Sequence, residues 1–151
     1  MTAHPSAAAF RVPVRVYWED TDAAGIVFYA NYLRWFERAR TEWLRAHGHS
    51  QQELARTAGM IFTVVSLRVD YRAPARLDDE LLITCEPQPE GAASLRFQQR
   101  IYRAGAAVAR SHALLLEANV RVACVDARTL RPRRLPDFLL EALAGEVGAH
   151  G

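Results

Sequence analysis

The chain contains no lysine, and all 19 of its positively charged side chains are arginine. A Schiff base with pyridoxal phosphate and a lysine nucleophile are therefore both excluded. Its two cysteines, Cys85 and Cys124, lie in separate apolar runs without the short spacing of a metal site, so we expect them to be reduced and buried. Reduced thiols, and an N-terminal segment without the features of a signal peptide, predict a cytoplasmic location.

Several common catalytic patterns are also missing from the sequence. No GxGxxG, P-loop, GxSxG or HExxH pattern occurs, which leaves nucleotide hydrolysis, a serine-hydrolase elbow and zinc peptidase chemistry without support. No apolar run approaches the ~20 residues of a membrane span. A net charge of +2 does not indicate a nucleic-acid partner, and we expect neither a metal nor another cofactor.

What remains is typical of one globular domain, with half of the residues hydrophobic and a quarter charged. We predict a domain over residues 11–146, between flexible tails at 1–10 and 147–151 that are rich in Ala, Gly and His. At this length the chain buries roughly 70% of its unfolded surface and needs no disulfide or metal to fold.

The hydrophobic periodicity predicts an α+β fold. Alternation over residues 12–19 is typical of a strand, whereas a period near 3.6 predicts a long helix from about Ala30 to His47 that is covered on most sides. Ser50 and Glu53 form a capping box that opens a short helix ending near Gly59. Further strands are predicted at 60–71, 80–87, 94–103, 106–118 and 119–126, before a short terminal helix at 136–145.

This order is satisfied by a curved antiparallel sheet that wraps one central helix. One helix cannot cover both faces of such a sheet, so we expect a further partner surface, most simply a second copy of the chain. The unusual feature is the junction of the first strand and the long helix. There Glu19, Asp20 and Asp22 crowd into four positions beside a strongly apolar segment, an arrangement that costs repulsion and desolvation.

The segment EDTDAAGIVFYANY, followed by FERARTEWLR, resembles the hotdog-fold acyl-CoA thioesterases of the 4-hydroxybenzoyl-CoA thioesterase superfamily. The likeness is greatest to the branch that accompanies the Tol-Pal envelope system, and it continues through DYRAPARLDDELLI, SLRFQQRI and RPRRLP over roughly residues 11–138. It implies a hotdog fold, dimers that pair sheet edges and often form homotetramers, active sites between subunits, and hydrolysis of acyl-CoA to a free acid and CoA.

The resemblance also implies roles for individual residues. Asp22 corresponds to the carboxylate that attacks the thioester carbonyl or activates water, and a desolvated carboxylate is suited to either task. The backbone N–H of Tyr29 corresponds to the donor that polarises the carbonyl oxygen, at a helix start where amides lack partners. Gly25 permits the turn between these groups, and Gly25, Val27 and Phe28 contact substrate.

Many members of the Tol-Pal-associated branch carry His at the position of Tyr29, whereas Tyr also fits the branch that acts on aromatic CoA esters. The acyl group therefore stays open between short aliphatic, long aliphatic and aromatic. The coenzyme A phosphates require cations, and Arg128, Arg131 and Arg133 are the candidates, against the alternative of a solvated basic loop.

Each candidate has a simpler alternative. Asp22 is also a residue type that closes turns and caps helices, and Glu37 is either a rival catalytic carboxylate or the partner of Arg38 or Arg40 in an ion pair. His112 has no ligand-type neighbours, so we expect a structural role.

Two alternative functions share parts of this pattern. A non-catalytic module that binds acyl-CoA or acyl carrier protein would use the same apolar groove. A hotdog hydratase is disfavoured, because it needs a histidine on or near the central helix and none lies between Glu19 and Arg45.

Overall fold

The computed structural model describes residues 2–3, 9–104 and 112–150, and it confirms the predicted α+β architecture. The strands are β1 Thr2–Ala3, β2 Phe10–Arg15, β3 Met60–Tyr71, β4 Glu80–Pro89, β5 Ser94–Ala104 and β6 His112–Asp126, and the helices are α1 Asn31–Ala46, α2 Gln51–Thr57 and α3 Asp137–His150. One antiparallel sheet has the order β3-β6-β5-β4-β2, and β1 pairs with the first residues of β6. Helix α1 packs against β2 and β4, and α3 packs against β4.

Helix α1 forms where the helical period was found, and its apolar stripe supplies the centre of the core. Trp35, Phe36, Ala39 and Trp43 are each almost fully buried. The opposite face of α1 is charged and exposed, at Arg34, Glu37, Arg38 and Arg45. Helix α1 is therefore covered on its apolar sides, and charged side chains that recur at helical spacing keep its remaining face in water.

A buried glutamine joins this helix to the sheet. Gln99 on β5 has no exposed surface, and its amide group donates to the carbonyl oxygens of Phe36 on α1 at 3.0 Å and of Thr84 on β4 at 3.3 Å. Its own carbonyl oxygen accepts from the Arg40 guanidinium at 3.0 Å, and burial lowers the pKa of that guanidinium. These bonds satisfy polar groups inside an apolar interior, where unpaired ones would be costly.

The first strand and the last strand differ from the sequence prediction. Strand β2 ends at Arg15, and residues Trp18–Asp20 form a turn of 3-10 helix because the Asp20 carboxylate accepts from the Tyr17 amide. Strand β6 is one strand where two were predicted, since its pairing with β5 continues without interruption through Ala118 and Asn119.

The two ends of the chain carry more regular structure than their composition suggests. Helix α3 continues through residues 147–150, and Thr2–Ala3 pair with β6. The capping of α2 by Ser50 is confirmed, since its hydroxyl accepts from the Glu53 amide. Residues 106–111 of the predicted strand, and residues 1, 4–8 and 151 of the predicted tails, lie outside the described residues.

The two edges of the sheet differ in character. Strand β2 is short and carries Pro13 between arginines, a combination that discourages pairing with another strand. Strand β3 is long, with a bulge at Val65, and exposes an apolar row. Val64, Val65, Leu67 and Tyr71 make up this row, which we call the β3 edge strip.

Candidate functional site

The acidic segment folds back on itself as a tight loop in front of α1. The Asp22 amide donates to the Ile26 carbonyl at 2.8 Å, and the Phe28 amide donates to the Asp20 carbonyl at 3.0 Å. Gly25 sits at the tip with φ of 79°, a left-handed conformation in which a side chain is strained. The sharp turn predicted at Gly25 is confirmed, and it brings the acidic residues beside the first residues of the helix.

Asp20 holds this loop to the helix. One of its carboxylate oxygens accepts from the Tyr17 amide at 2.8 Å, and the other accepts from the side-chain amide of the buried Asn31 at 3.0 Å. Both oxygens of Asp20 are therefore engaged in holding the loop to the helix. Asn31 was not singled out from the sequence, because only the folded loop reveals its partner.

Asp22 lies exposed on the wall of a groove at the helix start. One carboxylate oxygen accepts from the Ala24 amide at 2.8 Å, so Asp22 does close a turn, as its simpler alternative predicts. Its second oxygen makes no hydrogen bond with any residue in the described part of the chain. The groove is lined by Glu19, Asp20, Thr21, Asp22, Phe28, Ala30, Asn31 and Arg34.

The start of α1 offers backbone donors next to this groove. Within the described residues, neither the Tyr29 amide nor the Ala30 amide donates to any acceptor. Unpaired amides at a helix start carry partial positive charge and suit a developing anion. The side chains of Phe28 and Tyr29 are exposed and contact each other, with ring centroids 4.8 Å apart.

The remaining residues predicted for this segment are placed differently. The Val27 side chain is buried in the core, and its amide donates to the Ala75 carbonyl at 2.9 Å. Val27 therefore holds the loop against the core. Gly25 lies at the loop tip, where a Cβ would meet open space.

The candidate arginines lie at the other end of the subunit. Arg128 and Arg131 are exposed in the loop after β6, whereas the Arg133 guanidinium donates to the Ala58 carbonyl at 2.8 Å. This arginine loop adjoins the start of β3, while the Tyr29 end of the site adjoins the end of β3. A strand of this length spans on the order of 35 Å, so one subunit does not bring the two groups together.

Other titratable candidates lie outside the groove. The Glu37 carboxylate accepts from the Thr41 hydroxyl at 2.7 Å, whereas Arg40 turns inward to Gln99. The ion pair of Glu37 with Arg38 or Arg40 stays a prediction. His47 caps the far end of α1. His112 is the first residue of β6.

The cysteine prediction agrees with the structure. Cys85 and Cys124 are both buried and neither forms a disulfide, and burial raises the pKa of the Cys124 thiol. Among the residues described, no cluster of His, Cys, Asp and Glu is arranged to hold a metal ion. No helix in the same part of the chain is long and apolar enough to cross a membrane.

Comparison with known proteins gives consistent results. The model of the thioesterase-like superfamily matches residues 16–143. The acyl-CoA thioester hydrolase YbgC of Escherichia coli O6:H1 is 50% identical over 131 residues, which cover 87% of this chain and 92% of that protein. The structure of a 1,4-dihydroxy-2-naphthoyl-CoA thioesterase from Synechocystis superposes with a TM-score of 0.81 at 25% identity, covering 90% of this chain and 96% of the other.

A 4-hydroxybenzoyl-CoA thioesterase variant in complex with 4-hydroxybenzoyl-CoA shares the fold, with a TM-score of 0.82, 22% identity and coverage of 91% and 99%. The resemblance found in the acidic segment thus extends over nearly the whole domain. The chain belongs to the thioesterase-like superfamily of hotdog-fold proteins.

Proposed function

We propose that this protein is an acyl-CoA thioesterase that hydrolyses the thioester to a free acid and CoA, with its active site in the Asp22 groove. The observation that carries the proposal is the placement of a carboxylate with one uncommitted oxygen on the same groove as the open start of α1. The 50% identical relative is named an acyl-CoA thioester hydrolase, which supports the same reaction.

The groove offers what the reaction requires. The Tyr29 amide donates to the thioester oxygen and stabilises the negative charge that develops there, a contribution of roughly 3 kcal/mol for one such donor. The Asp22 carboxylate either accepts a proton from water as water attacks the carbonyl carbon, or attacks that carbon itself and forms an anhydride that water then cleaves. In both routes CoA leaves as a thiolate and takes up a proton.

A panel of acyl-CoA esters tests the proposal. Thiol release is measured with short aliphatic, long aliphatic and aromatic acyl groups, and we expect turnover of at least one class. The class that reacts with the highest kcat/KM identifies the acyl group, since Phe28 and Tyr29 suit either an aromatic or an aliphatic chain. Tight binding of acyl-CoA without thiol release from any ester would contradict the proposal and favour a binding module.

We further propose that the site is completed in a homodimer formed by antiparallel pairing of β3 with a second copy of β3. The β3 edge strip is apolar and exposed on a strand that pairs with β6 on one side and, among the described residues, with no strand on the other. Isolated soluble proteins avoid such an edge. The strip reaches the site, because the Tyr71 hydroxyl donates to the Tyr29 carbonyl at 3.0 Å. Two-fold pairing covers the strip and shields the groove from water.

The same pairing gives the arginine loop a role in substrate binding. Antiparallel partners place the start of one β3 beside the end of the other. The arginine loop of one subunit then lies near the Tyr29 end of its partner, where Arg128 and Arg131 have guanidinium groups free to hold CoA phosphates. Arg133 would shape the loop through its bond to Ala58.

Replacement of Arg128 and Arg131 by alanine is expected to raise KM for acyl-CoA about tenfold and leave kcat within about twofold, since two exposed ion pairs of about 0.2–1 kcal/mol each are lost. The control variant replaces Arg38 and Arg45 on the exposed face of α1. A thioester of N-acetylcysteamine lacks the phosphates, so the double variant should cleave it as the wild type does. An unchanged KM for acyl-CoA would remove the loop from substrate binding.

We also propose that the enzyme is cytoplasmic and forms a homotetramer. Cys85 and Cys124 are buried and form no disulfide, which is consistent with the reducing cytoplasm. The motifs resemble hotdog-fold thioesterases, which pair as dimers and often form tetramers, and this likeness supports a tetramer built from two β3-paired dimers. Acyl carrier protein is a second possible donor of the acyl group, because it presents the same thioester on the same pantetheine arm.

A further inference from the structure

Tyr71, which lies 42 residues after Tyr29 in the sequence, makes a hydrogen bond to the start of α1. The Tyr71 hydroxyl, at the end of β3, donates to the Tyr29 carbonyl at 3.0 Å. Its ring packs edge-on against the buried Tyr32 ring, with centroids 5.8 Å apart. The Tyr32 hydroxyl in turn accepts from the Ala75 amide at 3.0 Å. The Tyr32 ring, against which the Tyr71 ring packs, is thereby held in place.

The carbonyl that Tyr71 binds belongs to the same peptide group as the Ala30 amide. That peptide is trans, so its C=O and N–H point in opposite directions. The Tyr71 hydroxyl binds on one side of the peptide, and Ala30 lies on the wall of the Asp22 groove. Ala30 and Asp22 therefore line the same groove, and the Ala30 amide, which has no acceptor among the described residues, adjoins the Tyr29 amide at the helix start.

The hydrogen bond from Tyr71 affects the Ala30 amide in two ways. A carbonyl that accepts a hydrogen bond polarises its peptide group, which makes the N–H at the other end a stronger donor. The hydrogen bond also limits rotation of a peptide that lies outside the helix proper, before Asn31. Burial raises the pKa of Tyr71, so its phenol keeps the proton that it donates.

We propose that Tyr71 is a positioning residue for thioester hydrolysis, which holds the Tyr29–Ala30 peptide so that the Ala30 N–H donates to the thioester oxygen together with the Tyr29 N–H. The inference rests on the proposed function of the Asp22 groove. It adds a second backbone donor and a side chain that orients it from a neighbouring strand.

Tyr71→Phe keeps the ring and removes the hydroxyl, and we expect kcat to fall about tenfold while KM stays within about twofold, since the lost orientation acts on the transition state. Tyr102→Phe is the control. It removes a buried phenol hydroxyl from β5 and leaves the contact between Tyr29 and Tyr71 intact, so kcat should stay within about twofold of the wild type.

A spectroscopic measurement separates positioning from general stabilisation. An acyl-CoA labelled with ¹³C at the thioester carbonyl is bound to Asp22→Asn, and its C=O stretching frequency is compared with that in Asp22→Asn/Tyr71→Phe. Loss of a donor weakens polarisation, so we expect a higher frequency in the double variant. Equal frequencies, or an unchanged kcat in Tyr71→Phe, would overturn the inference about Tyr71. The proposed function would still stand as long as the wild type hydrolyses acyl-CoA. A wild type without turnover would overturn both the inference and the proposed function.

Discussion

Asp22→Asn should lower kcat for acyl-CoA by at least about 100-fold, because an amide is neither a nucleophile nor a base for water, and base catalysis typically contributes about 10²–10⁴-fold. The substitution is suited to the structure. Asparagine retains the oxygen that accepts from the Ala24 amide, so the loop in front of α1 keeps its turn. The measurement is thiol release at saturating substrate, together with the KM that shows whether substrate still binds.

The matched control is Glu19→Gln. Glu19 lies on the same groove and is exposed, and no residue described by the structure holds its carboxylate in a hydrogen bond or ion pair. Its replacement makes the same charge change at the same site, so a purely electrostatic effect on substrate entry would appear in both variants. We expect Glu19→Gln to retain kcat within about twofold, as is usual for a surface change away from the reacting atoms. A loss of activity that is equal in both variants would contradict a specific role for Asp22.

Leu67→Lys should convert the protein to monomers and reduce turnover by about 100-fold or more. Leu67 is 42% exposed on the β3 edge strip, and a charge placed opposite its symmetry-related copy in a two-fold interface is repelled and desolvated. Activity falls when the dimer is lost, because the groove of a monomer stays open to water and lacks the arginine loop of the partner. The mass in solution is measured by light scattering after size exclusion, alongside thiol release.

Leu140→Lys provides the comparison. Leu140 is 40% exposed on α3, so the two substitutions introduce the same side chain at equal exposure, one on the strip and one away from it. The Leu140 variant should keep the wild-type mass and activity. A Leu67→Lys protein that remains a fully active dimer would show that β3 is not the pairing edge.

Local features of this protein could be predicted because the residues that cause them are neighbours in sequence. The acidic loop, the turn at Gly25 and helix α1 lie within residues 19–46, and each follows from spacing, charge or backbone freedom in that stretch. The motif in the same stretch led to the family, which the comparisons confirmed. The division of β6 was predicted wrongly, because its continuity depends on a ladder with β5.

The sequence by itself therefore determined the helix, the loop in front of it, the class of fold and the carboxylate proposed to react. Only the tertiary structure decided that Tyr71 reaches the Tyr29 carbonyl, that Val27 points into the core, and that the arginine loop lies at the far end of β3. These contacts join residues tens of positions apart, and they depend on strand register and side-chain packing. Periodicity and motifs report on neighbours along the chain, whereas register is set by the whole sheet closing around its core.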